Sequence, residues 1–203
     1  MFISVVLAAG MSTRFPGNKL LYLWEDKPIV YWTVHSALAS SVDRVVVVTG
    51  HDRDLVIRAL SDLSGRFEEV YNPSYARGMS TSVKRGVEYV YEKYGSRTRA
   101  IIFTPGDCAW IPPEAYNMLI ETYIEKKPPI VVAAYQGIRG HPILFSSALF
   151  PELLEVSEET MGLKRVVKKY WWSTVVVNTP YPGVILDIDT YGDLNRVKYL
   201  LKK

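Results

Sequence analysis

Two cations, Arg14 and Lys19, stand five positions apart in the small-residue stretch Ala8-Ala9-Gly10-Met11-Ser12-Thr13-Arg14-Phe15-Pro16-Gly17-Asn18-Lys19. Small residues admit a ligand against the main chain, and unpaired backbone N–H groups can wrap phosphate oxygens. Arg14 and Lys19 add fixed positive charge, which suits a polyphosphate. A carboxylate follows in Thr104-Pro105-Gly106-Asp107. Magnesium prefers a few carboxylates plus substrate phosphates, so Asp107 is a candidate ligand, although a helix cap or turn aspartate fits the same pattern. Asp187-Ile188-Asp189-Thr190 supplies a partner. Positions i and i+2 of a strand share a face, so either Asp187 or Asp189 could meet Asp107 across one metal. Asp189 or Thr190 also reads as the cap of a following helix.

A third group is Asn72-Pro73 with Gly78-Met79-Ser80-Thr81-Ser82. A helix starting near Ser80 would offer free N–H groups and hydroxyls to a nucleobase edge or an anion, and plain capping by Ser80 remains the simpler alternative. The first loop does not read Gly-x-x-x-x-Gly-Lys-Ser/Thr or Gly-x-Gly-x-x-Gly, so neither the Walker loop nor the dinucleotide fingerprint fits. His35, His51 and His141 show no ligand spacing, which disfavours zinc. His35 falls mid-helix, whereas His51 and His141 fall at loop positions. Cys108 has no base near it in sequence and reads as a buried thiol, not a nucleophile. Trp171-Trp172 and the tyrosines read as core or rim.

The elements that must position these groups alternate along the chain. Ile3 to Leu7 is a first strand, and Val45-Val46-Val47-Val48 has the composition of a strand buried on both faces. Phe67 to Tyr71, Ala100 to Phe103 and Ile130 to Ala134 read as further strands. From Met79 to Tyr94, the residues Val83, Val87, Val90, Tyr91 and Tyr94 share one helical face, and Gly95 stands at the cap. Pro28 opens a helix running to Leu38, and Pro112-Pro113 opens one running toward Glu125. After Gly140 come a strand from His141 to Phe145 and helices over 147–156 and 161–170. Strands over 174–177 and 184–188 and a closing helix over 190–201 complete the chain.

This pattern predicts an α/β three-layer sandwich with a mostly parallel sheet and right-handed crossovers. Ligands in such sheets bind outside the carboxyl ends of the strands, which selects the loops after Leu7, Val48, Tyr71, Phe103 and Ile188. A chain of 203 residues fits one domain, divisible into halves 1–110 and 111–203. A net charge of +3 is too small to argue for nucleic acid and suits an anionic small substrate. One cysteine excludes an internal disulfide framework and fits a reducing compartment. The first apolar run lacks a preceding cationic region, and no stretch approaches the ~20 apolar residues of a membrane span, so a cytoplasmic protein without membrane attachment is expected.

Taken together, these pieces resemble the molybdenum-cofactor nucleotidyltransferases, especially the cytidylyltransferase branch. The similarity runs through Leu7-Ala8-Ala9-Gly10-x-Ser12-x-Arg14 with Lys19, Val48-Thr49-Gly50, Asn72-Pro73, Gly78-Met79-Ser80-x-Ser82, Gly106-Asp107, Gly140-His141-Pro142 and Asp187-Ile188-Asp189-Thr190 with Asp193-Leu194. The resemblance implies a Rossmann-like sheet of the nucleotidyltransferase type. It also implies transfer of a nucleotidyl group from a nucleoside triphosphate, CTP by preference, to the phosphate of a pterin-type acceptor, with pyrophosphate released. Arg14 and Lys19 would meet the phosphates, with Arg14, Lys19 and Asp107 as the catalytic set. Leu7, Ala8, Ala9, Gly10, Thr49, Gly78, Ser80 and Ser82 would complete the nucleotide site. Asp107 and Asp189 would hold Mg²⁺, and Gly140, His141 and Pro142 would face the acceptor. Handover of the product to a molybdoenzyme or its chaperone would follow.

Two departures stand out. Cys108-Ala109-Trp110 replaces the usual small pair and proline, which points to a different acceptor mouth. Phe15-Pro16-Gly17 replaces a Met-Gly pair without changing the Arg-to-Lys interval. Rival readings are a guanylyltransferase of the same family, a transferase for a sugar phosphate, methylerythritol phosphate or phospholactate, and a nucleotide-binding regulatory module. A redox enzyme on a dinucleotide fold is disfavoured by the absent fingerprint.

Overall fold

The computed structural model describes residues 1–201. Its main sheet comprises β1 (Phe2–Ala8), β4 (Arg44–Thr49), β5 (Glu68–Tyr71), β6 (Ala100–Pro105), β7 (Ile130–Tyr135), β8 (Ile138–Ser146) and β9 (Thr174–Asn178). A separate two-stranded hairpin is made by β2 (Leu23–Trp24) and β3 (Lys27–Pro28). The main sheet runs β5-β4-β1-β6-β8-β7-β9. Strand β8 is antiparallel to both its neighbours, β6 and β7, and every other pairing is parallel. The central strands are continuous apolar runs because both of their faces are covered.

The covering helices are α1 (Ile29–Ala39), α2 (Arg53–Ala59), α3 (Met79–Tyr94), α4 (Pro113–Lys126), α5 (Phe150–Leu154), α6 (Leu163–Lys169) and α7 (Asp193–Leu201). Alternate residues of each strand feed two separate cores. Val6, Ala8, Val47 and Ile102 pack with α1, α2 and α4. Val5, Leu7, Val46, Val48 and Phe103 pack with α3, α5 and α6. The result is the expected three-layer sandwich. On α3, Val83, Val87, Val90 and Tyr94 are buried, while Tyr91 is 60% exposed. Helical geometry places Tyr91 on the flank of that face, about 80° from Val83. No helix among the described residues is long and apolar enough to cross a membrane.

The second half departs from expectation in ways that matter for the site. Residues 184–188 do not form a strand: Pro182–Ile185 is a 3-10 turn, followed by extended backbone at Leu186. The segment is instead seated against neighbouring backbone, since a Cβ on Gly183 would lie 1.8 Å from the Trp110 carbonyl oxygen. Strand β8 starts three residues earlier than expected, so His141 lies inside a strand and not in a loop. It returns from β7 through Gln136 (φ +49°) and Gly137 (φ +80°), a two-residue turn of the type that twists with its strands. The expected helix over 147–156 divides into a 3-10 turn, Ser147–Leu149, and α5. Helix α7 starts at Asp193, not at residue 190. The Asp193 carboxylate accepts from the N–H groups of Asp189 and Thr190, at 3.0 and 2.7 Å, and so caps the turn before it.

Gly140 shows how tightly the turn 182–185 is seated. A Cβ on Gly140 would lie 1.8 Å from the Val184 carbonyl oxygen. Gly140→Ala is therefore expected to cost about 3 kcal/mol or more through backbone displacement. Equilibrium urea unfolding checks this as a lower midpoint with an unchanged slope, and a wild-type midpoint would mean that the contact is absent in solution.

Candidate active site

Strand β1 lies between β4 and β6, and its carboxyl end opens into the loop that holds both cations. The loop is fixed at several points. The Phe15 N–H donates to the Ser12 carbonyl at 2.9 Å. The Lys19 N–H donates to Ser12 Oγ at 3.2 Å. Asn18 Oδ1 accepts from the Leu20 N–H at 3.0 Å and caps the short turn carrying Lys19. Asn18 Nδ2 reaches Asp52 Oδ2 at 3.2 Å. Alongside, the Gly106 N–H donates to the Leu7 carbonyl at 2.9 Å, which ties the loop after β6 to the end of β1.

That tie brings Asp107 to Lys19. Lys19 Nζ lies 2.5 Å from Asp107 Oδ2 and 3.2 Å from Asp189 Oδ1. Arg14 Nη2 lies 3.0 Å from Asp189 Oδ2. The four groups form one chain, Asp107–Lys19–Asp189–Arg14, running from a buried carboxylate to a guanidinium 69% exposed at the surface. Burial alone would depress the Lys19 ammonium. The Asp107 charge and hydrogen bonds to both aspartates outweigh burial and raise its pKa above the ordinary lysine value.

Two residues before Asp189, the Asp187 carboxyl titrates above the usual range, first because of desolvation and then because of the charges of Asp107 and Asp189. Desolvation, and next the Asp107 charge, push the Cys108 thiol well up, so it stays protonated and unreactive. Desolvation lowers His141 to about 4 against the opposing pull of Asp187, so its imidazole is neutral at pH 7. His141 Nδ1 is buried with no hydrogen-bond partner among the described residues.

A cleft of about 270 Å³ opens beside Lys19 and Asp107, while Arg14, Asp187, Asp189 and His141 lie outside its lining. Leu7, Ala9, Gly10, Lys19, Gly78, Ser82 and Asp107 line it, as does Tyr75. Three strand-end loops and the start of α3 therefore converge on one cavity, as the strand-end rule requires. Asn72 organises the α3 side. Its Nδ2 donates to Thr81 Oγ1 at 2.8 Å and Ser82 Oγ at 2.9 Å, and its Oδ1 accepts from the Ser74 N–H at 3.0 Å.

Other sequence candidates lie elsewhere. Ala8 belongs to the core on the α1 side. Thr49 is buried in the sheet, and its hydroxyl donates to Glu69 Oε1 at 2.5 Å. Ser80 is buried outside the cleft lining, and its Oγ has no hydrogen-bond partner among the described residues. Gly140, His141 and Pro142 lie on β8 beside the turn 182–185 and do not line the cleft.

Leu20, Tyr75 and Ala76 in the cleft lining escape the sequence reading, as does Glu158, which lies outside it. Tyr75 sits in the loop after β5 that the strand-end rule had already selected, with its ring centroid 5.9 Å from that of His51. Glu158 has no local signal, because it acts on α3 from 78 residues away.

Among the described residues, no group of three or more His, Cys, Asp or Glu side chains gathers to hold a metal. A dication here would therefore need ligands from a substrate. Asp107 and Asp189 meet that condition: both offer hard oxygen donors, and both already point at one cation, the Lys19 ammonium. This set fits Mg²⁺, which takes one or two carboxylates and fills its remaining positions with phosphates and water.

Residues 4–175 match the model of the MobA-like NTP transferase domain. The molybdenum cofactor cytidylyltransferase of Escherichia coli K12 is 26% identical over 194 residues, covering 96% of this chain and 94% of that protein. The manganese complex of Rv0371c from Mycobacterium tuberculosis H37Rv superposes with a TM-score of 0.79 at 23% identity, covering 97% of each chain. A nucleotidyl transferase from Methanothermobacter gives a TM-score of 0.79 at 22% identity, covering 100% of this chain and 98% of that one.

Proposed function

The chain belongs to the MobA-like NTP transferase family and is a nucleotidyltransferase, and on that premise we propose that it moves CMP from CTP to the phosphate of the molybdenum cofactor. One observation carries this reading: Lys19 stands between Asp107 and Asp189 at the floor of a cleft walled by the first loop and the start of α3. Further support comes from the E. coli relative, which is a cytidylyltransferase for that cofactor and aligns along nearly the whole chain. We assign the nucleotide to residues 1–110 and the acceptor to residues 111–203, with Asp189 reaching back from the second half to the first.

The reaction needs no protein nucleophile. An oxygen of the acceptor phosphate attacks the α-phosphorus, the bond from that phosphorus to the bridging oxygen breaks, and pyrophosphate leaves with the electron pair. The task of the protein is placement and charge neutralisation. Arg14 and Lys19 are each paired with carboxylates. With the triphosphate on both cations, Asp107 and Asp189 would be the residues that hold Mg²⁺. When bound there, Mg²⁺ supplies charge neutralisation for the polyphosphate. Leu7, Ala9 and Gly10 bring the main chain against the nucleotide, and Gly78 and Ser82 border the base. Thr49 supports the strand end from behind, Ser80 backs the base wall, and Ala8 anchors the loop in the core. Gly140, His141 and Pro142 shape the acceptor side through the turn 182–185. The neutral imidazole of His141 can give or take one hydrogen bond there without adding charge. Handover of the product to a molybdoenzyme or its chaperone completes the proposal.

Base choice rests on size at Ala9. Its methyl leaves room for a pyrimidine, whereas a glycine would let a purine approach the main chain. Such a difference is worth only ~1–3 kcal/mol, so preference is expected and not exclusion. Pyrophosphate release measured with CTP, GTP, ATP and UTP at equal concentration should rank CTP first, and Ala9→Gly should gain GTP turnover. Faster wild-type turnover of GTP than of CTP would replace this assignment with the guanylyl one.

A further inference from the structure

Helix α3 begins without a side-chain cap of its own. Gly78 stands at the cap position with φ +111° and contributes no polar group. The missing acceptor is Glu158, whose Oε1 lies 2.7 Å from the Ser80 N–H. Gly78 makes room for it, since a Cβ there would fall 2.4 Å from both Cγ and Cδ of Glu158. A carboxylate at this end of a helix is favoured both by the free N–H groups and by the helix dipole.

Glu158 is presented by the segment 155–162, which joins α5 to α6 and is closed on itself. The Ser157 N–H donates to Thr160 Oγ1 at 3.1 Å, and the Gly162 N–H donates to the Ser157 carbonyl at 2.9 Å. The same segment passes over Ser80, since a Cβ on Gly162 would lie 3.3 Å from Ser80 Oγ. A prebuilt turn from the second half of the chain thus grips the first turn of α3, two of whose neighbours, Gly78 and Ser82, line the cleft.

We propose that Glu158 is a positioning residue, a cap supplied from a distant segment that holds Gly78 to Ser82 in the arrangement that receives the nucleotide. The proposal rests on the reading of the cleft as a nucleotide site. Lys19, Asp107 and Asp189 stand on other loops, so losing the cap should weaken binding and spare the chemical step.

The test is CTP binding by calorimetry with Mg²⁺, together with steady-state kinetics, for wild type, Glu158→Ala and Glu158→Gln. Loss of a helix cap corresponds to about a fivefold change in an equilibrium, so Glu158→Ala should raise Kd and KM for CTP about fivefold with kcat unchanged. Glu158→Gln keeps an acceptor oxygen and should restore both values. A fall in the urea midpoint of Glu158→Ala with wild-type Kd and KM would overturn the proposal, leaving the contact a structural one. Failure of Glu158→Gln to restore binding would overturn it as well. Wild-type protein that binds no nucleotide would overturn both this proposal and the reading it rests on, whereas wild-type binding that Glu158→Ala leaves intact overturns this proposal alone.

Discussion

Lys19→Ala is expected to lower kcat about 100-fold, the effect of removing one charged group that stabilises a developing transition state. Lys19 is singled out because its ammonium lies within hydrogen-bond reach of two carboxylates at once. Without it, the triphosphate meets Asp107 and Asp189 with only the exposed Arg14 to offset them. Stability should fall too. The Asp107 side chain is only 9% exposed, and taking the partner from a buried charge costs about 3 kcal/mol. Circular dichroism and urea unfolding separate that loss from the catalytic one.

The pH dependence of the stability loss has a definite sign. A folded-state pKa raised above 10.5 means that the ion pair contributes fully below the unfolded lysine value and fades only as pH rises through the folded one. The stability difference between wild type and Lys19→Ala should therefore be flat from mildly acidic to mildly alkaline pH. Near-wild-type turnover by Lys19→Ala would remove the first loop from the mechanism.

Asp107→Asn is the second large effect. The change preserves shape, leaves Lys19 its bond to Asp189, and removes one of the two charges proposed to hold Mg²⁺. Activity should drop by at least ~100-fold, and the Mg²⁺ concentration for half-maximal rate should rise. Asp189→Asn should act in the same direction. Asp189 is 41% exposed and also carries Arg14, so its loss leaves water to replace it and the effect should be smaller. A magnesium titration of Asp107→Asn that overlays the wild type, or full wild-type activity in chelator, would contradict the assignment.

The parts of this molecule legible in sequence were those set by local physics. Helix α3 spans Met79–Tyr94 as its periodicity predicts, because its buried face repeats at helical spacing and Gly95 ends it. Strands β1, β4 and β6 follow from apolar runs too uniform for anything but a sheet covered on both faces. Residues 184–188 read as a strand in the sequence, yet Val184 and Ile185 belong to the 3-10 turn 182–185. Val184-Ile185-Leu186 has strand composition, and only tertiary contact shows it seated against Gly140. Asp187 and Asp189 could not be ranked from spacing. Of the two, Asp189 is the one that forms ion pairs with Arg14 and Lys19 among the described residues, and Asp193 caps the turn at its N–H. Glu158 lay beyond reach of any pattern, since its partner, the Ser80 N–H, belongs to a helix whose own cap is a glycine.

Transfer of label from α-³²P-CTP to the molybdenum cofactor, with Mg²⁺ and unlabelled competitor nucleotides, bears most directly on the proposed function. Labelled cofactor should form in step with pyrophosphate and only when the acceptor is present. It should survive excess UTP or ATP better than excess unlabelled CTP. Label that stays in CTP while the cofactor is present, or pyrophosphate released at the same rate without it, would contradict the proposed reaction.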